Sequence, residues 1–172
     1  MMMRMLEAGG LQVLTDQIRV PDEDNPEGYY EFEAVKQIEH DQTWLPEARG
    51  KAVKMVAALL RHLPPDYTYQ VIFMRRRMDE ILASQRRMLA RRGQSTDTVS
   101  DERLAALFQR HLQQVEAWIS EQPNIDALYV EYNKVLQDPI EHAERINRFL
   151  GGDLDSDQMA RVVDPTLYRQ RG

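Results

Sequence analysis

The chain has 172 residues, 42% of them hydrophobic and 29% charged, which is enough to bury a core of its own as one globular domain over 1–172. It has no cysteine, which excludes a disulfide scaffold, thiol chemistry and cysteine-ligated metal centres; its four histidines, His40, His62, His111 and His142, lack paired ligand spacing, so no metal is expected. A net charge of -6 argues against a general nucleic-acid surface, and no apolar run approaches the roughly 18 residues of a membrane span, so the expected compartment is the cytoplasm.

In chain order, MMMRMLEAGG at 1–10 reads as the last turns of a buried helix closed by Gly9 or Gly10, with a short extended piece at 11–14. A polar loop at 22–28 (DEDNPEG) leads into a helix from about Phe32. The apolar runs at 52–57 (AVKMVA), 70–74 (QVIFM) and 127–132 (ALYVEY) predict strands. Between the last two, 78–90 carries Met78, Ile81, Leu82, Met88 and Leu89 near a 3.6-residue period, and 104–119 repeats apolar residues from Leu104 to Ile119 in the same way, so both predict helices packed on a sheet. The small polar run GQSTDTVS at 93–100 predicts a flexible surface loop between them. A helix over 139–150 is punctuated at both ends, by Asp138 as N-cap, Pro139 at the first position, and Gly151 and Gly152 as the stop.

This alternation predicts an α/β fold with a parallel sheet. In such folds the first helix follows a strand and a ligand-binding turn, so the chain reads as starting one element late.

The densest chemistry lies at 70–85, QVIFMRRRMDEILASQ, where a buried strand runs into Arg75, Arg76 and Arg77 and then into an amphipathic helix. Guanidinium groups at the carboxyl end of a parallel strand stand where such sheets bind ligands, and arginine's planar fork grips phosphate with two parallel hydrogen bonds. Ser84 adds a hydroxyl further along the helix. The same residues also fit a solvated basic helix start. Over 75–92 seven arginines face only Asp79 and Glu80, and a local cationic patch on an acidic chain suits one bounded anion better than a long polyanion. Arg86, Arg87, Arg91 and Arg92 read as a solvated face, Trp44 and Trp118 as core, His111 as a partly buried structural histidine, and the tail at 168–172 as frayed. Tyr29 and Tyr30 fit either an acceptor pocket or a packed loop.

The strand, Arg76 and Ser84 eight positions later resemble the 3′-phosphate-binding segment of PAPS-dependent sulfotransferases. LYVEYNKVLQDP at 128–139 and RINRFLGG at 145–152 are similar to that family's strand-plus-helix entry and the helix that follows, and DNPEGYYEFE at 24–33 is similar to a segment of its bacterial members, all in the family's order. The resemblance implies a three-layer, P-loop-NTPase-like sulfotransferase fold, with Arg76 and Ser84 holding the 3′-phosphate of PAPS or its product PAP. It also implies transfer of a sulfuryl group to an acceptor hydroxyl or amine, with Glu27 or Glu31 as the candidate base. Glu31 also fits a helix-start acid favoured by the dipole. The family's Gly-Thr/Ser loop, which cradles the 5′-phosphate, has no counterpart in these residues. The expectation is therefore an N-terminally truncated domain of little or no activity. The alternative is a non-enzymatic interaction module that forms homo-oligomers through its Met-rich N-terminal helix and an exposed sheet edge.

Overall fold

Two parallel strands, β1 (Tyr69–Arg75) and β2 (Ile125–Glu131), run side by side in register from Tyr69 opposite Ile125 to Arg75 opposite Glu131. The structure is a computed structural model and describes residues 1–16, 18, 28–91 and 100–164. Most of the expected loops at 22–28 and 93–100, and the expected frayed tail, lie outside the described residues. Both strands are rich in β-branched and aromatic residues and place apolar side chains on both faces, the pattern of a parallel sheet covered on each side.

On one face Phe73 and Ile125 pack with Leu60 and with Ile119 of α4 (Asp101–Ser120). On the other, Val130 is fully buried among Met5 of α1 (Met2–Ala8), Val135 of α5 (Tyr132–Gln137), Ile146 of α6 (Pro139–Phe149) and Met159 of α7 (Ser156–Arg161). Helices thus cover both faces of the small sheet, giving the α/β layering that the sequence predicts. The connection from β1 to β2 runs through α3 (Met78–Arg91) and α4, as a parallel crossover requires.

The caps follow the sequence closely. The Asp138 carboxylate accepts from the Glu141 amide at 3.0 Å, and α6 stops before Gly151 and Gly152, whose φ values of 112° and 93° lie in the left-handed region open to glycine. Ser100 caps α4 by accepting from the Arg103 amide. The helix expected at the N-terminus is α1, with Gly9 at its C-cap.

Two expected elements differ. The run at 52–57 is not a strand: only Ala52 pairs, in a single parallel bridge to Val13, and a 3₁₀ helix begins at Ala57. Val56 is exposed and the Lys54 ammonium turns away to donate to the Tyr29 carbonyl at 2.8 Å, so the apolar run lacks the two covered faces that would hold it in a sheet. The helix expected from Phe32 is a 3₁₀ turn, Glu33–Gln37, and the next helix, α2 (Leu45–Ala48), is a single turn. These pieces enclose a second small core of Leu14, Val35, Ile38, Trp44 and Leu45, in which Phe32 meets Trp44 edge-on at 5.5 Å.

Beside β1 lies a cavity of about 670 Å³, lined by Leu6, Leu11, Trp44, Ala52, Met55 and successive β1 residues. The Tyr69 amide donates to the Asn124 carbonyl at 2.8 Å, which turns the backbone groups of Tyr69, Val71 and Phe73 toward β2 and those of Gln70, Ile72 and Met74 to the opposite edge. Among the described residues no second strand pairs with that edge.

Candidate functional site

The strand ends, and the turns into α3 and α5, bring the three consecutive arginines to one rim of the sheet. Their surroundings separate them sharply. Arg75 lies over the Tyr129 ring at 4.3 Å and pairs with Glu116 of α4 at 2.8 Å. Arg77 turns outward and grips Asp79 at 2.6 Å. Burial pushes the Asp79 carboxyl up, but the Arg77 guanidinium and the Glu80 amide outweigh it, so the group ends below its ordinary range. The Arg77–Asp79 pair is exposed and Glu116 is half-buried; ion pairs this open to solvent are screened and add little to stability.

Arg76 is held differently. Its Nε donates to Oε2 of Glu80 at 3.0 Å, and its guanidinium carbon stands 4.9 Å from the centre of the Tyr132 ring. Glu80 is 0% exposed, and its second oxygen accepts from Nδ2 of Asn133 at 2.7 Å. Burial pushes the Tyr132 phenol up, against the opposing pull of the Arg76 charge, so the phenol stays protonated at neutral pH. The Arg76 side chain keeps 31% exposure, and the hydrogen bond to Glu80 uses only Nε. Among the described residues the terminal nitrogens make no hydrogen bond, which leaves them able to donate to a phosphate.

Ser84, half-buried, lies on α3 four residues beyond Glu80, so these two share a helix face, while Arg76 precedes the helix and meets that face through its bond to Glu80. The sequence reading missed Glu80 and Asn133. The i, i+4 spacing of Arg76 and Glu80 was a visible signal, whereas Asn133 sits 53 residues away and meets Glu80 only through the sheet.

Glu27 lies outside the described residues. The Glu31 carboxylate stands 4.0 Å from Lys36 and 3.9 Å from Lys54, and its carbonyl accepts from the Thr15 hydroxyl at 2.9 Å. Tyr29 and Tyr30 form part of the same packed loop: Lys54 lies 5.9 Å from the Tyr29 ring centre, and the Tyr30 hydroxyl donates to Glu7 at 2.5 Å. Tyr30 has a positive φ of 51°, an uncommon conformation outside glycine. Arg86 pairs with Asp101, Arg87 is exposed, and Trp118 and His111 are half-buried on α4. Among the described residues no cluster of three or more acidic or histidine side chains has the form of a metal site, and no helix is long and apolar enough to cross a membrane.

No curated protein and no solved structure matches the chain. A family model described as "Sulfotransferase family" does match, over residues 13–156. That span includes both strands, the arginine rim, Ser84 and all of α6, well over half of the sequence. On that match the chain belongs to the sulfotransferase family.

Proposed function

We propose that this chain carries the 3′-phosphate half of a PAPS site, with Arg76 and Ser84 as its ligands. The observation behind this reading is the state of Arg76, which is held by a buried carboxylate at Nε and by an aromatic ring, while its terminal nitrogens make no hydrogen bond among the described residues. A guanidinium set in that way presents parallel donors to a phosphate without first having to be ordered. The Ser84 hydroxyl, on α3 one turn beyond Glu80, supplies a further donor in this reading.

The reaction in this reading transfers the sulfuryl group of PAPS to an acceptor hydroxyl or amine, which loses a proton as PAP leaves. We assign the proton to a carboxylate of the 27–31 segment, with Glu31 as the described member. The 172 residues hold no Gly-Thr/Ser loop for the 5′ side, so turnover by this chain alone is expected to fall orders of magnitude below a complete site. The fold in this reading is the P-loop-NTPase-like sheet, of which β1 and β2 are neighbouring strands.

Calorimetric titration with PAP tests the assignment. Saturable binding is expected, weakened roughly 10-fold to 100-fold in Arg76→Ala and several-fold in Ser84→Ala, in line with the loss of charge-assisted and neutral hydrogen bonds respectively. Absence of binding by folded protein overturns it.

A second reading, self-association without catalysis, is favoured by the β1 edge beside the apolar cavity, which no strand pairs among the described residues.

A further inference from the structure

Glu80 and His142 are the buried polar side chains among the described residues, and Glu80 is the carboxylate of the two. A fully buried carboxylate is costly, and replacing a buried ion pair by apolar side chains of similar volume is often neutral or stabilising. Stability alone therefore does not account for Glu80. Its contacts do. One oxygen takes the Nε–H of Arg76, at the end of β1, and the other takes the amide of Asn133, in the first turn of α5. The carboxylate is thus pinned by the helix that continues β2 and in turn pins Arg76, the residue that follows β1.

The point of attachment matters. Glu80 engages the guanidinium at Nε, the terminal nitrogens make no hydrogen bond among the described residues, and the Tyr132 ring lies 4.9 Å from the guanidinium carbon. An arginine without that anchor samples many rotamers, and each must be given up when an anion binds.

We propose that Glu80 is a positioning residue for phosphate recognition: it aims the terminal nitrogens of Arg76, with Asn133 holding it in place, and so sets the preference for a nucleotide bearing a 3′-phosphate over one lacking it. The proposal rests on the reading of Arg76 and Ser84 given above. It makes a prediction opposite in sign to simple electrostatics. Removing a negative charge beside an anion site strengthens anion binding if charge alone governs it; removing an aiming residue weakens it.

The experiment compares adenosine 3′,5′-bisphosphate with adenosine 5′-phosphate by calorimetry, on the whole chain and its Glu80→Met and Glu80→Gln variants. Glu80→Met, similar in volume but without acceptors, is expected to cut the preference for the bisphosphate about 10-fold, the worth of one charge-assisted hydrogen bond. Glu80→Gln, whose amide oxygen still accepts from Nε, is expected to restore most of it. If Glu80→Met does not fold, Asn133→Ala replaces it, with a several-fold drop expected.

An unchanged or increased preference in Glu80→Met, or equal weakening of both nucleotides, overturns the proposal while leaving the Arg76 site standing. A parent chain with no preference between the two nucleotides overturns the site itself, and this role with it.

Discussion

Asp16 illustrates how much a single exposed carboxylate can organise. It accepts from the Glu33 amide at 2.6 Å and from the Ile18 amide at 3.1 Å, tying the chain after the first extended piece to the 3₁₀ turn at Glu33–Gln37. Those two donors hold its carboxyl below the ordinary aspartate range, against a smaller opposing effect of desolvation. Because the folded value lies below the unfolded one, the stabilisation is complete at neutral pH and is lost as pH falls through the folded value. Asp16→Ala is expected to melt at a lower temperature than the parent at pH 7, with the gap closing toward pH 3; a gap independent of pH in a series of thermal melts refutes this. Arg75, Arg76 and Arg77 make the companion point. Three identical neighbours acquire an aromatic-stacked surface pair, a buried anchor and a solvent-facing pair, according to where the strand and helix direct each one.

At the scale of elements, α1 is held against α7 by a contact that only glycine permits. The Gly9 carbonyl accepts from the Asp155 amide at 3.0 Å, and a Cβ at Gly9 would stand 2.6 Å from Cγ and 3.0 Å from Sδ of the fully buried Met159. The φ of Gly9 is -74°, so the constraint is steric and not conformational. Gly9→Ala is expected to cost about 1–3 kcal/mol by overpacking this contact, measured by equilibrium denaturation. A loss near zero would show that Met159 moves aside freely. The helices α3, α4 and α6 were legible in the sequence because long apolar periodicity and paired caps are local signals. The one-turn and two-turn helices α2, α5 and α7 were not, since such short pieces are fixed by packing and carry little periodicity of their own.

At the scale of the whole molecule, the β1 edge that no strand pairs among the described residues is the feature that separates the two functional readings. Amides of Gln70, Ile72 and Met74 are expected to exchange with solvent faster than those of Tyr69, Val71 and Phe73, which face β2. Uniform protection along β1 in dilute protein would show that another segment covers the edge. Raising the concentration distinguishes the readings further: self-association through this edge slows the first set in step with the mass seen by light scattering. A monodisperse monomer with unchanged exchange leaves the nucleotide reading alone.

The amino-acid sequence by itself determined the class of fold, the two paired strands and the capped helices, because each is written in local spacing and capping chemistry. The apolar run at 52–57 misled for the converse reason: hydrophobicity marks a segment for burial but does not supply the neighbours that make it a strand. Only the tertiary structure decided which of three arginines is anchored, because that depends on Asn133 and Tyr132 arriving from the far end of a crossover. Long-range pairing of that kind leaves no periodic trace in the chain, and it is what buried Glu80 beneath the rim.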